Sequence, residues 1–508
     1  MNYLVTGDWL IIGVYLAGVM ALGIWFGRGQ RNTKDYFLGG REIPWWGVSL
    51  SIVATETSAL TFIGVPALAF GSDLGFIQII FGYVVARFVL AIFLVPYYFR
   101  GEIYSPYQLF SDAFGMPARR LAGFFFLVAA TLAAGVRVYV TCIPLKIMLG
   151  DLLARWFGDP ILGAVVLFVL FSLVYTYVGG IKAVIWTDAV QFLLLLGGGI
   201  FALLYLGRLI DGGWPAALDQ ASNAGKLHWL TTRFSLSMPY NIWMGIVGAT
   251  IMVLSTHGAD QLNVQRILAC RTVGDGRRAL IMSAIIILPL FLLFLSVGVM
   301  LWVYFQQTPP RIPFPESQAG FPQSDYVFPV FIITEAPPLM RGFMIVAILS
   351  AAMSSVSSAL SALASVSTMD LMRGFLRKTH SDSFLLTFSR ASTVFWGIML
   401  VWVAWQSREV ELVLDWALSL NGLTNGAMLG GLILCLVWKR GRSLPVIVGM
   451  LSGLAFMVFV SQLTWSTTTE GATLTRRVAW PWYSLIGATV TLTVAGLVRL
   501  VIGEPKGR

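Results

Sequence analysis

Charged residues are scarce in this chain. Only 11% of its 508 residues are Asp, Glu, Lys or Arg, whereas 57% are hydrophobic. Soluble domains carry about 25% charged residues, so the composition excludes an ordinary soluble protein and indicates one that crosses a lipid bilayer many times. The net charge of +10 would suggest a nucleic-acid partner in a soluble protein. Here we attribute it to basic loops on the cytoplasmic side, and we expect no nucleic-acid partner.

Cysteine and histidine are also rare. The three cysteines lie far apart, which predicts no structural disulfide. The three histidines are equally scattered and cannot form a metal cluster. The chain has no Ser-His-Asp set and no paired carboxylates that would support catalysis. We therefore predict that the protein is not an enzyme and has no cofactor.

Apolar segments of membrane-spanning length dominate what is present, and we count thirteen of them. They cover residues 7–27, 44–71, 75–99, 118–148, 159–178, 184–208, 238–256, 279–305, 341–368, 384–405, 412–438, 443–463 and 482–502. Nearly all clusters of Lys and Arg fall in alternate loops. The positive-inside rule places these loops in the cytoplasm, which predicts an external N-terminus and a cytoplasmic C-terminus in the cell (inner) membrane.

Two of the spans are interrupted by polar residues. The second contains Glu56, several hydroxyls, Gly64 and Pro66, and the seventh contains Pro239 and ends in the polar run 255–261. These spans are five apart, as the first helices of two five-helix halves would be. Interrupted helices at matching positions of two halves are a pointer to a transport site in the middle of the membrane.

A serine-rich stretch lies in the ninth span. Residues 351–361 hold five hydroxyls, and no charged residue occurs between Arg341 and Asp370. Oxygens at i, i+3 and i+4 converge on one face of a helix. They have no use in lipid, so we expect that face to meet protein, water or an ion. The alternative is that small serines only permit close helix packing.

The most specific motif is residues 175–191, YTYVGGIKAVIWTDAVQ, in which Asp188 enters the helix after a Gly-Gly turn. A carboxylate favoured by the helix dipole is the simpler interpretation. The motif resembles the signature of the sodium:solute symporter family, and residues 35–41 and Gln265–Arg266 resemble further family segments. The resemblance implies an all-α integral membrane protein of the leucine-transporter type, with two inverted five-helix repeats. Residues 1–508 would form one membrane domain, with a leading helix at 7–27, a core at about 44–438 and trailing helices at about 443–502.

The same resemblance implies sodium sites. The first lies between the broken helix and the serine-rich helix, where five residues would bind the ion through oxygen atoms. They are the carbonyls of Ala54, Thr57 and Ala351 and the hydroxyls of Ser354 and Ser355. A second sodium, found in some family members, would use Asp188, Ser354, Ser357 and Ser358.

Substrate-binding candidates lie near the same break. They are Glu56, Ser58, Thr61, Phe76, Gln78 and Arg137. Arg137 is a mid-span arginine, which is costly and therefore a functional hypothesis by default. It resembles the arginine that holds the substrate carboxylate in sialic-acid symporters. The alternative is a salt bridge between Arg137 and Glu56, which would leave a neutral sugar or polyol as substrate.

Together these features predict a sodium-coupled symporter that imports a small organic solute across the plasma membrane by alternating access. The solute would be an organic anion, such as sialic acid or a monocarboxylate, or a sugar. Its partners would be this solute, Na⁺ as the coupling ion and the lipid bilayer. The competing class is a sensor or channel built on the same fold, which would not transport.

Overall fold

The computed structural model describes residues 4–28, 30–315, 323–372, 381–407, 413–469 and 472–503. In the first half, the helices are α1 (Thr6–Gly27), α2 (Thr33–Leu38), α3 (Trp45–Glu56), α4 (Ala59–Gly71), α5 (Ile77–Val89), α6 (Val95–Tyr98), α7 (Gln108–Phe114), α8 (Met116–Phe157), α9 (Pro160–Leu209) and α10 (Gly213–Asn223). In the second half they are α11 (Thr250–Gly258), α12 (Gln261–Leu268), α13 (Val273–Gln307), α14 (Val327–Thr334), α15 (Met340–Val366), α16 (Asp382–Gln406), α17 (Val413–Trp438), α18 (Ser443–Gln462) and α19 (Tyr483–Ile502).

Shorter elements connect several of these helices. Single π-helical segments at Leu90–Leu94, Met244–Ala249 and Ser367–Met372 join or extend α5, α11 and α15. Short 3₁₀ turns occupy Gly39–Arg41, Ser324–Tyr326 and Trp480–Trp482. Strands β1 (Thr464–Thr469) and β2 (Ala472–Arg477) pair antiparallel and form a hairpin, which the sequence analysis did not anticipate.

The structure agrees with a multi-pass membrane protein. Among the described residues, nine helices are long and apolar enough to cross a membrane, and the bent pair α3–α4 makes a tenth. The fifty-residue helix α9 is divided at Gly180, where φ is 53° and ψ is −156°. Only glycine suits this position, because its φ is positive and an added side chain would collide with the Tyr36 carbonyl. Each half of α9 corresponds to one predicted span.

Two predicted boundaries differ from the structure. Helix α8 continues to Phe157, nine residues beyond the predicted end of the fourth span. The seventh span ends in α11 at Gly258, two residues beyond its predicted end, and the polar run that follows does not continue as a loop. Asp260 Oδ1 instead accepts a hydrogen bond of 2.8 Å from the Leu262 amide and caps a new helix, α12.

Helix α15 lies at the centre of the molecule. Of its most apolar stretch 89% is buried, more than in any other candidate span among the described residues. Asp8 of α1 accepts hydrogen bonds from the amides of Leu339 and Gly342, at 2.9 and 3.0 Å, where α15 begins. The Tyr175 hydroxyl of α9 donates to the Met353 carbonyl at 3.1 Å. These contacts hold the serine-rich helix in a fixed position between α1 and α9.

Candidate functional site

A cavity of about 250 Å³ lies where α3 breaks into α4. Helices α8, α11 and α15 close its other sides. Its lining includes Thr55, Glu56, Ser58, Thr61, Phe76, Tyr83, Arg137, Tyr240, Thr256, His257, Asp260, Asn263, Phe291, Ser355, Ala359, Asn425 and Trp480. Five of the six predicted substrate residues therefore line it: Glu56, Ser58, Thr61, Phe76 and Arg137.

The break in the first core helix releases two backbone carbonyls. In a continuous α-helix the Ser58 amide would donate to the Ala54 carbonyl and the Thr61 amide to the Thr57 carbonyl. In this structure the Ser58 amide donates to the Glu56 carbonyl at 3.2 Å, and the Thr61 amide donates to the Ser58 carbonyl at 2.8 Å. The axes on either side of the break differ by 55°. The carbonyls of Ala54 and Thr57, both predicted sodium ligands, are thereby left available for another partner.

The serines of α15 face this break and a polar cluster beside it. Ser355 is half-buried, lines the cavity and donates to the Ala351 carbonyl at 3.3 Å. Ser354 is fully buried and donates to Asp188 Oδ1 at 2.7 Å. Ser358 lies 3.4 Å from the Thr55 hydroxyl, which joins α15 to α3. The structure thus brings the carbonyl end of α3 and the hydroxyls of α15 to one place.

Asp188 is fully buried, and its partner is Arg266 of the family-like segment Gln265–Arg266, which is not among the predicted site residues. Arg266 Nη2 lies 2.9 Å from Asp188 Oδ2 and also donates to the Ser358 hydroxyl. The Ser51 hydroxyl donates to the same carboxylate oxygen at 2.6 Å and accepts from Arg266 Nε at 2.8 Å. A buried carboxylate needs a cation nearby, and that rule predicts a cationic partner for Asp188 without saying which residue supplies it.

Of the four predicted ligands of a second sodium, three meet in this cluster. Asp188, Ser354 and Ser358 are joined by the hydrogen bonds described above. Ser357 instead donates to the Ser354 carbonyl at 3.1 Å. The guanidinium group of Arg266 supplies the positive charge that Asp188 requires.

Glu56 is also paired with an arginine, Arg87, which is not among the predicted site residues. Its Oε2 accepts from Arg87 Nη2, and the Arg87 side chain is fully buried. His257 Nε2 lies 3.8 Å from Glu56 Oε2 and 3.4 Å from Arg87 Nη2. The alternative prediction of a salt bridge between Glu56 and Arg137 is therefore wrong. Arg87 lies inside the predicted third span, where an arginine is itself a functional signal.

Arg137 lines the cavity from α8. Its guanidinium group makes no hydrogen bond or ion pair with any residue that the structure describes. One helix face carries Ala130, Ala133, Ala134 and then Arg137, and all four line the cavity. Because the alanine side chains are small, they leave room in the cavity beside the Arg137 side chain.

The structure does not bring Gln78 to the cavity. This side chain is fully buried, and its Nε2 donates to the carbonyls of Gly75 and Tyr240, at 3.1 and 3.4 Å. Its Oε1 accepts from the Thr231 amide at 2.9 Å. Both polar atoms of the Gln78 amide are thus engaged, and the bonds to Tyr240 and Thr231 hold the 224–240 loop against α5.

Comparison of the sequence with known proteins identifies a transporter family. Residues 36–453 match the model of the sodium:solute symporter family. The chain is 30% identical over 457 residues to the sodium/sialic acid symporter SiaT of Proteus mirabilis, with 87% of each chain covered. It is 28% identical over 475 residues to the human sodium/iodide cotransporter, covering 91% of this chain and 72% of that protein.

Solved structures give the same answer for the fold. A substrate-bound, outward-open Na⁺-coupled sialic acid symporter matches with a TM-score of 0.85 and 26% identity over 99% of both chains. A nucleobase-cation-symport-1 family transporter matches with a TM-score of 0.57 at 14% identity, which bears on the fold alone. The predicted leucine-transporter-type architecture is confirmed.

Proposed function

Because the chain belongs to the sodium:solute symporter family and is a sodium-coupled transporter, we propose that its solute is a small organic anion whose carboxylate binds Arg137. The observation that carries this proposal is how the charged residues of the cavity are paired. Asp260, a second carboxylate of the lining, caps α12 by accepting from the Leu262 amide and makes no salt bridge with Arg137 in the part of the chain that the structure describes. Glu56 is neutralised by Arg87, whereas Arg137 makes no ion pair with a described residue. A carboxylate is the natural bidentate partner of a guanidinium group. Sialic acid, which two relatives are named for transporting, is such an anion.

We place the coupling sodium between the break and α15. Its ligands would be the carbonyls of Ala54, Thr57 and Ala351 and the hydroxyls of Ser354 and Ser355. Two of these carbonyls have lost their helical partners, as described above. Uncharged oxygen atoms are suitable ligands for a hard cation such as sodium. Without a carboxylate among them, they bind the ion weakly enough for it to be released. Ser354 donates its proton to Asp188, so its lone pairs remain available to an ion.

A second sodium at Asp188, Ser354, Ser357 and Ser358 carries an additional requirement. Arg266 already neutralises Asp188. An ion could take that carboxylate only if Arg266 withdrew or shared it. One sodium per cycle therefore fits the contacts of these residues without rearrangement, and two sodium ions need Arg266 to withdraw from Asp188 or to share it.

We infer the orientation from the loop charges. The N-terminus would lie outside and the C-terminus in the cytoplasm of a cell (inner) membrane. Sodium binding from outside would hold the α3–α4 break in one conformation and thereby complete the solute cavity. The two halves would then rock to expose both sites to the cytoplasm. Each ligand should raise the affinity of the other by the same factor.

Uptake into proteoliposomes tests this proposal. With an inward sodium gradient, wild-type protein should accumulate N-acetylneuraminate, and Arg137→Ala should reduce kcat/KM roughly 30-fold or more. This follows from the cost of about 2–5 kcal/mol for truncating one member of a buried charge pair. The matched control is Arg155→Ala, since Arg155 is an exposed arginine in the last turn of the same helix. It should transport normally.

Two results would refute the anion assignment. One is unchanged uptake by Arg137→Ala under the same gradient. The other is accumulation of a neutral sugar, with galactose as the probe, at the rate of the acid in wild-type protein. Uptake that ignores the sodium gradient would reject the coupling ion instead.

A further inference from the structure

Five aromatic side chains line the cavity beside its charged residues, and we call them the aromatic wall. They are Phe76, Tyr83, Tyr240, Phe291 and Trp480. The Phe76 and Phe291 rings are stacked, with centroids 5.7 Å apart and an angle of 21° between the ring planes. The Phe76 and Tyr240 rings meet edge to face at 5.3 Å. The cavity thus combines a charged part at Arg137 and Glu56 with a broad apolar part.

Trp480 differs from the other four because it comes from outside the predicted ten-helix core. It begins the 3₁₀ turn Trp480–Trp482, between the β hairpin and α19. This segment is fastened to the chain that precedes α11. The Ala479 amide donates to the Leu236 carbonyl at 2.9 Å, and the Trp482 ring packs on Phe234 at 5.9 Å. These contacts fix Trp480 over the cavity.

The wall indicates the shape of the solute that fits. Aromatic faces gain most from a flat or ring-shaped body, which they contact over a large area. A two- or three-carbon acid would reach Arg137 but would leave most of the roughly 250 Å³ cavity unfilled. Unfilled space forfeits dispersion contacts along the wall.

We propose that Trp480 is a specificity-determining residue that selects carboxylates carried on a ring over short open-chain acids. The solute carboxylate lies on Arg137 and one ring face lies against Trp480. This inference rests on the proposed anion function, and it adds a preference among anions that Arg137 alone does not explain. The residue acts on solute choice and not on sodium binding, since it lies outside the proposed ion site.

Ligand-induced thermal shifts of purified protein in saturating sodium test the inference, with dissociation constants from titration. The probes are two ring acids, N-acetylneuraminate and nicotinate, and one open-chain acid, lactate. Wild type should bind at least one ring acid at least tenfold more tightly than lactate. Trp480→Ala should weaken that ring acid about tenfold, which corresponds to about 1.4 kcal/mol, and should change lactate binding less than twofold.

Trp465→Ala is the matched control, because Trp465 is an exposed tryptophan of the adjoining hairpin that does not line the cavity. It should leave all three constants unchanged. Trp480→Phe keeps an aromatic face and should lose less than Trp480→Ala, which separates stacking from a folding defect. Equal losses for ring acid and lactate in Trp480→Ala would overturn the inference, as would failure of wild type to bind either ring acid at millimolar concentration. Full retention of ring-acid binding by Arg137→Ala would instead reject the anion function.

Discussion

Ser355→Ala isolates the proposed sodium site more cleanly than any other single change. The hydroxyl of Ser355 is half-buried at the cavity and its protein partner is the Ala351 carbonyl at 3.3 Å. That carbonyl keeps its helical environment in the alanine variant, so little folding energy is lost. Ser354→Ala would be harder to interpret, because it also removes the 2.7 Å hydrogen bond to Asp188.

The expected effect follows from one lost contact to a charge. A hydrogen-bonding group that faces a charge contributes about 1.5–3 kcal/mol. Removing one such oxygen should raise the sodium concentration for half-maximal uptake roughly 10- to 150-fold. Because binding is reciprocal, the variant should also show weaker solute binding at low sodium and recover at saturating sodium.

The assay is uptake into proteoliposomes as a function of external sodium at fixed solute. Ser361→Ala is the matched control. It lies on the same helix, is buried, and bonds to Gln265 at 3.4 Å away from the proposed site. It should leave the sodium curve in place. A Ser355→Ala curve within twofold of wild type would refute the ligand assignment.

Other predictions concern stability, measured as the melting temperature of purified protein. Asp188→Asn should destabilise the protein by about 3–5 kcal/mol, because Arg266 keeps a buried charge without its partner. Adding Arg266→Gln to this variant should restore part of the lost stability. Strictly additive losses in the double variant would contradict the pairing. Gln78→Ala should lower the melting temperature by freeing the loop at Thr231 while the half-saturating sodium concentration stays the same, and a shifted sodium curve would argue against a purely structural role. Asp370→Asn should destabilise through the 2.8 Å ion pair with Arg119, and an unchanged melting temperature would show that this pair contributes nothing.

The sequence was informative wherever a signal is local. Long apolar runs predicted the spans, and polar residues within span 2 predicted an interruption, which the structure places after Glu56. The serine spacing of α15 predicted that its hydroxyls share a face, and Ser354 does meet Asp188, 166 residues earlier in the chain. Family resemblance supplied this last pairing, since spacing alone could not join two distant helices.

What escaped prediction depends on contacts between distant segments. Arg87 lies within a predicted span and Arg266 within a family segment, but only the fold shows which carboxylate each one neutralises. The wrong partner for Glu56 arose because Arg137 was the only mid-span arginine considered. Trp480 could not be assigned to the cavity either, because no local sequence signal connects a residue after the hairpin to helices that lie far earlier in the chain.

The buried ion pairs have an electrical consequence. Glu56 with Arg87 and Asp188 with Arg266 each sum to zero, so neither pair adds net charge to the centre of the protein. Transport of one sodium ion with one monovalent acid would then move no net charge across the membrane. Two sodium ions with the same acid would carry one positive charge, worth about 2.3 kcal/mol per 100 mV. A current recorded on solute addition would therefore count the ions in each cycle, without any need to see them bound.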